Sequence, residues 1–366
     1  MSQFIERHIL KQGEPFITPE ELKNEKEYRR TDEIASVVQK GIDEIVGVLL
    51  GHDNRKILMI GPCSIHEIEG AKEFAKKLKS FSEQVSDKFV VGMRTCLVKP
   101  RSTVGWKGYF NDPDIDDTFK MEKGYRNGRK LLLDILGTSR MYVGMEFVDT
   151  MTPLYIDDLM SYAWIGARSS ESPIHREMAS GVTAPVGLKN PTSGSITGAI
   201  RNVFSATQPQ VFPGYNPHLQ MCDIYTTGNP WAHVILRGWE DRGANYNSDE
   251  IRKLAEHIKR NKLQVFGAMI DCAHDNCKNA DGKKTPSNQW NGIENGVDQI
   301  NKAANENYPD VIKGFLMEVY HTEGNITPEK YKKNPVPGIS LTDPCLSWEQ
   351  FEKRIAPIYD KLIIRE

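Results

Sequence analysis

KILMIG at residues 56–61 is the first of eight short apolar runs that decide the fold. In chain order the runs are KILMIG (56–61), KFVVGMR (88–94), MYVGMEF (141–147), AWIGARS (163–169), APVGLKN (184–190), HVILRG (233–238), FGAMIDCAH (266–274) and GFLMEVY (314–320). Continuous apolar strands that are separated by crossovers are typical of a parallel sheet covered on both faces. Eight of them predict closure into an α/β fold of the (β/α)8 TIM barrel type.

The segments between the runs support this assignment. Helical spacing predicts helices over residues 71–85, 125–136, 248–261 and 296–307. The alternative is an open doubly wound sheet, which needs a glycine-rich phosphate loop after a strand. Neither GxGxxG nor GxxxxGK[ST] occurs in the sequence, so the barrel is favoured.

The rest of the chain divides into an N-terminal extension and loop inserts. Residues 1–50 are the predicted extension, in which 19–49 is charge-rich and helical and ends at Gly51. Residues 51–366 are the predicted catalytic barrel. The long insert near 201–232 is irregular and leaves room for a helix and a hairpin.

Composition excludes several classes of protein. Lys and Arg number 47 and Asp and Glu 49, so a net charge of −2 excludes a strongly basic nucleic-acid binder. No apolar run approaches the ~18–20 residues that span a bilayer. MSQFIERHILKQGEP at the start carries charges where a signal peptide needs an apolar core. Six cysteines without a CxxC indicate reduced thiols. We therefore expect a cytoplasmic protein with no nucleic-acid or membrane partner.

A charged or reactive residue stands at or just after the end of every apolar run. In order they are Cys63, Arg94, Glu146, Arg168, Lys189, Arg237, His274 and Glu318. The C-terminal ends of barrel strands share one face, which is where active sites of this fold lie. A strand that leaves the core could meet any one of these residues by chance, but chance accounts poorly for all eight. We therefore predict that they converge on one site.

Cations dominate this set. Arg94, Arg168, Lys189 and Arg237 are joined by Lys99-Pro100-Arg101-Ser102, which follows the second run. Cations that crowd at one pole repel each other unless an anion lies between them. Arginine also suits bidentate recognition of phosphate and carboxylate. The set predicts two anionic substrates, or one that carries both phosphate and carboxylate.

The remaining residues indicate a metal. Cys63, His274 and Glu318 follow the first, seventh and eighth runs, and Asp343 in LTDPC (341–345) comes soon after the eighth. Closure of the barrel makes the first and eighth strands neighbours. Thiolate, imidazole and carboxylate donors together suit Mn, Fe, Co or Zn rather than Mg or Ca.

Longer motifs resemble a known family, the microbial type I 3-deoxy-D-arabino-heptulosonate-7-phosphate (DAHP) synthases, of the enterobacterial feedback-regulated type. The motifs are GPCSIH (61–66), MRTCLVKPRSTVGWKG (93–108), GARSSESPIHREMASG (166–181), PVGLKN (185–190), ILRG (235–238), IDCAH (270–274) and TDPC (342–345). The resemblance covers about residues 40–350 and implies a metal-dependent (β/α)8 barrel. Such enzymes condense phosphoenolpyruvate with erythrose 4-phosphate and release phosphate, as the first step of the shikimate pathway.

The resemblance also implies roles for individual residues. The implied ligands of a divalent Mn, Fe or Co ion, with Zn also compatible, are Cys63, His274, Glu318 and Asp343. The implied phosphoenolpyruvate site is Arg94, Lys99, Arg168, Lys189 and Arg237. Arg101 and Ser102 resemble the part that holds the aldose phosphate. Lys99, His274 and Glu146 are unranked candidates for proton transfer, and a homodimer or homotetramer is implied.

Several positions at the pocket rim depart from the family pattern. They are Pro191, Ser193, Trp239, Ala273, Asp275, Cys277 and the EVYH of 318–321. None removes an implied ligand or anion-binding cation, so catalysis is expected to persist. The alternatives are the same reaction type on a different aldose phosphate and a non-catalytic regulatory paralogue. A Schiff-base aldolase that uses Lys189 is disfavoured, because so many neighbouring cations suit an anion site better than a neutral amine.

Regulation yields a first prediction. Family members are often inhibited by Phe, Tyr or Trp, and the N-terminal segment, which in relatives helps to build the inhibitor site, is the least matched part of this chain. We therefore predict that feedback inhibition is weak or has a changed effector. Initial rates with and without each aromatic amino acid test this. Strong inhibition by low-micromolar phenylalanine would contradict it.

Overall fold

A computed structural model describes residues 13–101 and 105–364, and within them eight parallel strands close into a barrel. The strands are β1 (Lys56–Gly61), β2 (Phe89–Arg94), β3 (Tyr142–Glu146), β4 (Tyr162–Ile165), β5 (Val186–Lys189), β6 (Gln210–Tyr215), β7 (Met221–Thr226), β8 (His233–Leu236), β9 (Ala268–Asp271), β10 (Ile312–Tyr320) and β11 (Leu346–Ser347). The barrel runs β1-β2-β3-β4-β5-β8-β9-β10, and β10 pairs with β1 with Gly61 opposite Glu318. The predicted barrel is confirmed, and each of the eight apolar runs overlaps one of its strands.

Helices surround the barrel. They are α1 (Pro19–Asn24), α2 (Asp32–Leu50), α3 (Ile68–Gln84), α4 (Met121–Asp134), α5 (Thr152–Ile156), α6 (Pro173–Gly181), α7 (Ile196–Ala206), α8 (Ser248–Arg260), α9 (Gln289–Asn305), α10 (Pro328–Lys333) and α11 (Trp348–Lys361). The four predicted helices correspond to α3, α4, α8 and α9. Within residues 13–101 and 105–364, none of the helices is both long and apolar enough to cross a membrane.

The barrel strands are buried on both faces, which is why their sequences are continuously apolar. Inside the barrel, Met59, Trp164 and Leu316 pack in one cluster, and α2 joins it through Ile45 and Leu49. Helix α2 therefore packs into the core of the barrel itself. It ends at Leu50, and Gly51 follows with a φ of 78°, the left-handed conformation that glycine adopts most readily after a helix.

The insert near 201–232 contains a helix and a hairpin, the two elements that its length and irregular sequence allowed. Helix α7 ends at Ala206, and β6 and β7 then form an antiparallel hairpin. Its side chains alternate, so Val211 and Tyr225 are exposed while Phe212 and Ile224 are half-buried. The hairpin lies outside the barrel sheet, because β8 pairs directly with β5.

Candidate active site

A cavity of about 310 Å³ opens at the C-terminal ends of the barrel strands. Glu146 and Lys189, the last residues of β3 and β5, line it, together with Arg237 and His274 just beyond β8 and β9. Among the described residues, six cations line it: Lys99, Arg101, Arg168, Lys189, Arg237 and Lys284. The structure thus brings most of the predicted strand-end side chains to one pocket, and their positive charge suits anionic ligands.

Three predicted residues lie buried beside the cavity lining. The Nη2 of Arg94 donates to Glu318 Oε1 at 2.9 Å, and both side chains are almost fully buried. The Nζ of Lys99 donates to the carbonyl of Cys63 at 3.0 Å and lies 3.2 Å from its Sγ. Among the described residues, Arg94 Nε and Nη1 have no partner. Buried donors without a partner cost free energy, so an anionic ligand at this position would stabilise them.

Lys189 lies in a buried network of carboxylates. Its Nζ is 2.9 Å from Asp271 Oδ2 and 3.6 Å from Glu146 Oε2, and Glu146 also accepts from Trp164 Nε1 at 3.0 Å. Burial opposes ionisation of Glu146, but Lys189 and Lys99 lower its pKa. Lys189 is thus placed as an ion-pair partner of two carboxylates.

The arginines of the pocket differ in their partners. Arg237 is buried and pairs with Asp275, which also lies 2.8 Å from Lys278 Nζ. Arg168 donates to the carbonyl of Pro100 at 2.6 Å. In the described part of the chain neither Arg168 nor Arg101 pairs with a carboxylate, so their charges are free to hold an anion. Ser102, predicted beside Arg101, lies outside the described residues.

The predicted metal ligands meet at one side of the cavity. Donor atoms of Cys63, Glu318 and Asp343 all lie within 4.8 Å of one another. His274 lies beside this group, with its Nε2 3.9 Å from Glu318 Oε1. Its Nδ1 lies 2.9 Å from Asp271 Oδ2, so a carboxylate is in place beside the imidazole, as is common for ligating histidines. The four donors therefore fit a transition-metal ion.

The backbone and charges at this group also suit ligation. His274 has φ 59°, an unusual left-handed conformation that costs on the order of 1–3 kcal/mol and concentrates at functional sites. Burial lowers the pKa of His274, which keeps the imidazole in the neutral form that binds metals. Burial raises the pKa of the Cys63 thiol to about 12, so a bound cation would have to displace its proton.

Three residues of the site were absent from the sequence prediction. Asp271 is the last residue of β9, and the same strand-end rule that selected His274 could have found it. Asp275 was noted only as a departure from the family, and its pairing with Arg237 depends on a turn that sequence alone does not define. Lys284 comes from a polar loop in which nothing distinguishes it from Lys283.

Cys63, one of the predicted metal ligands, lies close to a second cysteine, Cys345, and this pair of thiols leads to a second prediction. The backbone N–H of Cys63 donates to Cys345 Sγ at 3.3 Å, and both cysteines are buried. We expect Cu(II) to inactivate the metal-free protein. Two Cu(II) ions each take one electron, the two thiols release their protons, and the sulfur atoms join as a disulfide. Peptide mapping of the inactive protein tests this. A free Cys345 there, or a Cys345→Ser variant as sensitive to copper as the parent, would refute the linkage.

Comparisons with known proteins agree with this architecture. The model of the DAHP synthetase I family matches residues 19–355. The Tyr-sensitive phospho-2-dehydro-3-deoxyheptonate aldolase of Escherichia coli K12 is 38% identical over 324 residues, which are 88% of this chain and 86% of that protein. The tyrosine-inhibited aldolase of Candida albicans is 35% identical over 92% of this chain and 88% of its own length.

A solved structure extends the agreement to three dimensions. The phospho-2-dehydro-3-deoxyheptonate aldolase of Francisella tularensis SCHU S4 superimposes with a TM-score of 0.89 at 32% identity. The match covers 98% of this chain and 99% of that one. Sequence and fold agree along almost the whole length, and the chain belongs to the DAHP synthetase I family.

Proposed function

We propose that this chain condenses phosphoenolpyruvate with erythrose 4-phosphate and water to give DAHP and phosphate, as a metal-dependent homodimer or homotetramer. The observation that carries the proposal is one cavity in which six cations lie beside a thiol, carboxylate and imidazole group. Every implied ligand and cation of the family is present, which disfavours a non-catalytic paralogue.

The reaction needs two substrates held in one orientation. Carbon 3 of phosphoenolpyruvate attacks the aldehyde carbon and forms the new C–C bond. Water then adds at carbon 2, and the resulting hemiketal phosphate expels phosphate. Binding two phosphates and a carboxylate in one pocket makes the encounter effectively unimolecular. We assign Arg94, Arg168, Lys189 and Arg237 to phosphoenolpyruvate. Lys189 and Arg237 are buried in the cavity lining, Arg94 is buried beside it, and Arg168 lines it from an exposed position.

Charge states suggest how the protons move. Burial opposes the charge of Lys99, but Cys63 and neighbouring acidic groups raise its pKa, so the ammonium carries a proton at neutral pH. The lowered pKa of Glu146 keeps that group ionised. We assign Lys99 to donate a proton to the new hydroxyl and Glu146 to accept one from the attacking water.

The four predicted metal ligands complete the site. Cys63, His274, Glu318 and Asp343 would hold Mn, Fe or Co, with Zn also compatible. A bound ion would supply Lewis acidity toward the aldehyde oxygen. The protein's own contribution there is orientation, because Arg94 donates a hydrogen bond to Glu318 and Asp271 lies against the ring of His274.

A panel of aldose phosphates tests the proposed substrates. Phosphate release from phosphoenolpyruvate is measured with erythrose 4-phosphate and with three-, five- and six-carbon aldose phosphates. We expect the highest kcat/KM with erythrose 4-phosphate. A higher value with another aldose phosphate would favour the alternative acceptor, and no release with any of them would refute the activity.

Arg101 provides a third prediction, which divides the pocket between the two substrates. Arg101 is exposed at the cavity mouth, whereas Lys189 lies in its floor. We expect Arg101→Ala to raise the KM for erythrose 4-phosphate and to leave the KM for phosphoenolpyruvate nearly unchanged. Steady-state kinetics with each substrate varied in turn measure the split. A rise confined to the KM for phosphoenolpyruvate would show that the division is wrong.

A further inference from the structure

Lys284 reaches the group of Cys63, Glu318 and Asp343 from a loop whose backbone is fixed by hydrogen bonds. The loop follows β9, and Lys278 and Lys284 form an antiparallel bridge in it. The N–H of Thr285 donates to the carbonyl of Cys277 at 3.0 Å, and Asn279 donates to Lys283 at 2.9 Å. The loop therefore presents Lys284 at a defined position, while the neighbouring Lys283 stays exposed.

The ammonium of Lys284 occupies a position that favours a cation. Its Nζ lies 2.5 Å from Asp343 Oδ2, and the side chain is 31% exposed. Its charge therefore lies against the group formed by Asp343, Glu318 and Cys63. These three residues are the ones whose donor atoms lie within 4.8 Å of one another. Lys284 thus neutralises part of the carboxylate charge that a metal ion would neutralise.

We propose that Lys284 competes with the divalent metal for Asp343 and so weakens metal binding. The proposal rests on the proposed function, because it requires that the Cys63, Glu318 and Asp343 group binds a metal. The ammonium donates a hydrogen bond to Asp343 Oδ2. A metal ion that binds Asp343 has to displace that ammonium or share the carboxylate with it.

Two physical effects act in the same direction. A divalent cation close to a fixed ammonium is repelled, and a carboxylate oxygen already paired with Lys284 must give up that partner. An orienting role predicts the opposite sign. If Lys284 only held Asp343 ready for the metal, its removal would free the carboxylate and weaken metal binding. The direction of the change in Kd therefore distinguishes competition from orientation.

The test measures binding of Mn²⁺ alone to the full chain, without an activity readout. Electron paramagnetic resonance of free Mn²⁺ gives the Kd of the parent, Lys284→Met, Lys284→Arg and Lys283→Met. Methionine keeps the apolar stem of lysine and removes its charge. We expect the Kd of Lys284→Met to fall about tenfold or more, from loss of a nearby unit charge. Lys284→Arg keeps the charge and Lys283 is exposed, so these two variants should stay close to the parent.

Thermal unfolding gives an independent measure on the same proteins. We expect metal-free Lys284→Met to melt below the parent, because Asp343 loses its counter-cation. Mn²⁺ should raise its Tm by more than it raises that of the parent, since tighter binding stabilises the folded state further. Lys283→Met should behave like the parent in both states.

The outcomes separate this inference from the function on which it rests. An unchanged or weaker Mn²⁺ affinity in Lys284→Met, with the parent site intact, would overturn the inference alone. Cys63→Ser identifies that site, because it should weaken Mn²⁺ binding in the parent. If the parent binds no Mn²⁺ that Cys63→Ser weakens, the metal centre of the proposed function fails and the inference fails with it.

Discussion

Replacing Lys189 with methionine is expected to reduce kcat/KM for phosphoenolpyruvate by roughly 30- to 4,000-fold. That range corresponds to the ~2–5 kcal/mol that breaking a buried, hydrogen-bonded charge pair costs. Lys189 lines the cavity floor, where it would contact the phosphoenolpyruvate anion, and it pairs with Asp271 at 2.9 Å. Arg168→Ala should act in the same direction at the same substrate.

The Lys189 variant needs a control for stability, because Glu146 and Asp271 lose their shared cation. Lys56→Met is a matched control. Lys56 is also a buried lysine paired with an aspartate, Asp310 at 3.3 Å, but it begins β1 at the opposite end of the barrel. We expect both variants to melt below the parent and only Lys189→Met to lose kcat/KM. Equal kinetic loss in a folded Lys56→Met would show that the effect is not local to the pocket.

Complete removal of the metal is expected to abolish activity, which is the second large effect. A chelator should inactivate the enzyme, and Mn, Fe or Co should restore it while Mg restores it poorly. The reason is the donor set, since Cys63 supplies sulfur and His274 nitrogen, which Mg binds less readily than oxygen. Activity is measured after dialysis against chelator and after each metal is returned. Full activity of rigorously metal-free protein would refute a catalytic metal.

The barrel was predictable from sequence because its strands are buried on both faces. Burial on both sides makes a run such as KILMIG continuously apolar, and its length separates it from a helix. The polar residue that follows each run then lies on the shared C-terminal face. Glu146, Lys189 and Arg237 line the cavity for this reason.

Loops explain what the sequence did not reveal. The fourth run extends to Ser169, but strand β4 ends at Ile165, and Arg168 lies in the turn beyond it. That turn approaches Glu146 so closely that a side chain at Gly166 would collide with the carboxylate. Lys284 enters the pocket only because its loop folds back through backbone hydrogen bonds. Such contacts depend on tertiary geometry, which leaves no periodic pattern in the sequence.

Anomalous diffraction from crystals soaked with Mn²⁺ and phosphoenolpyruvate is the most direct test that one pocket holds both the metal and the anionic substrate. Data at the manganese absorption edge locate the ion without bias. We predict a single strong peak among Cys63, His274, Glu318 and Asp343, with the phosphoenolpyruvate anion in contact with Lys189 and Arg168. A manganese peak away from these four residues, or phosphoenolpyruvate bound outside this cavity, would contradict the account.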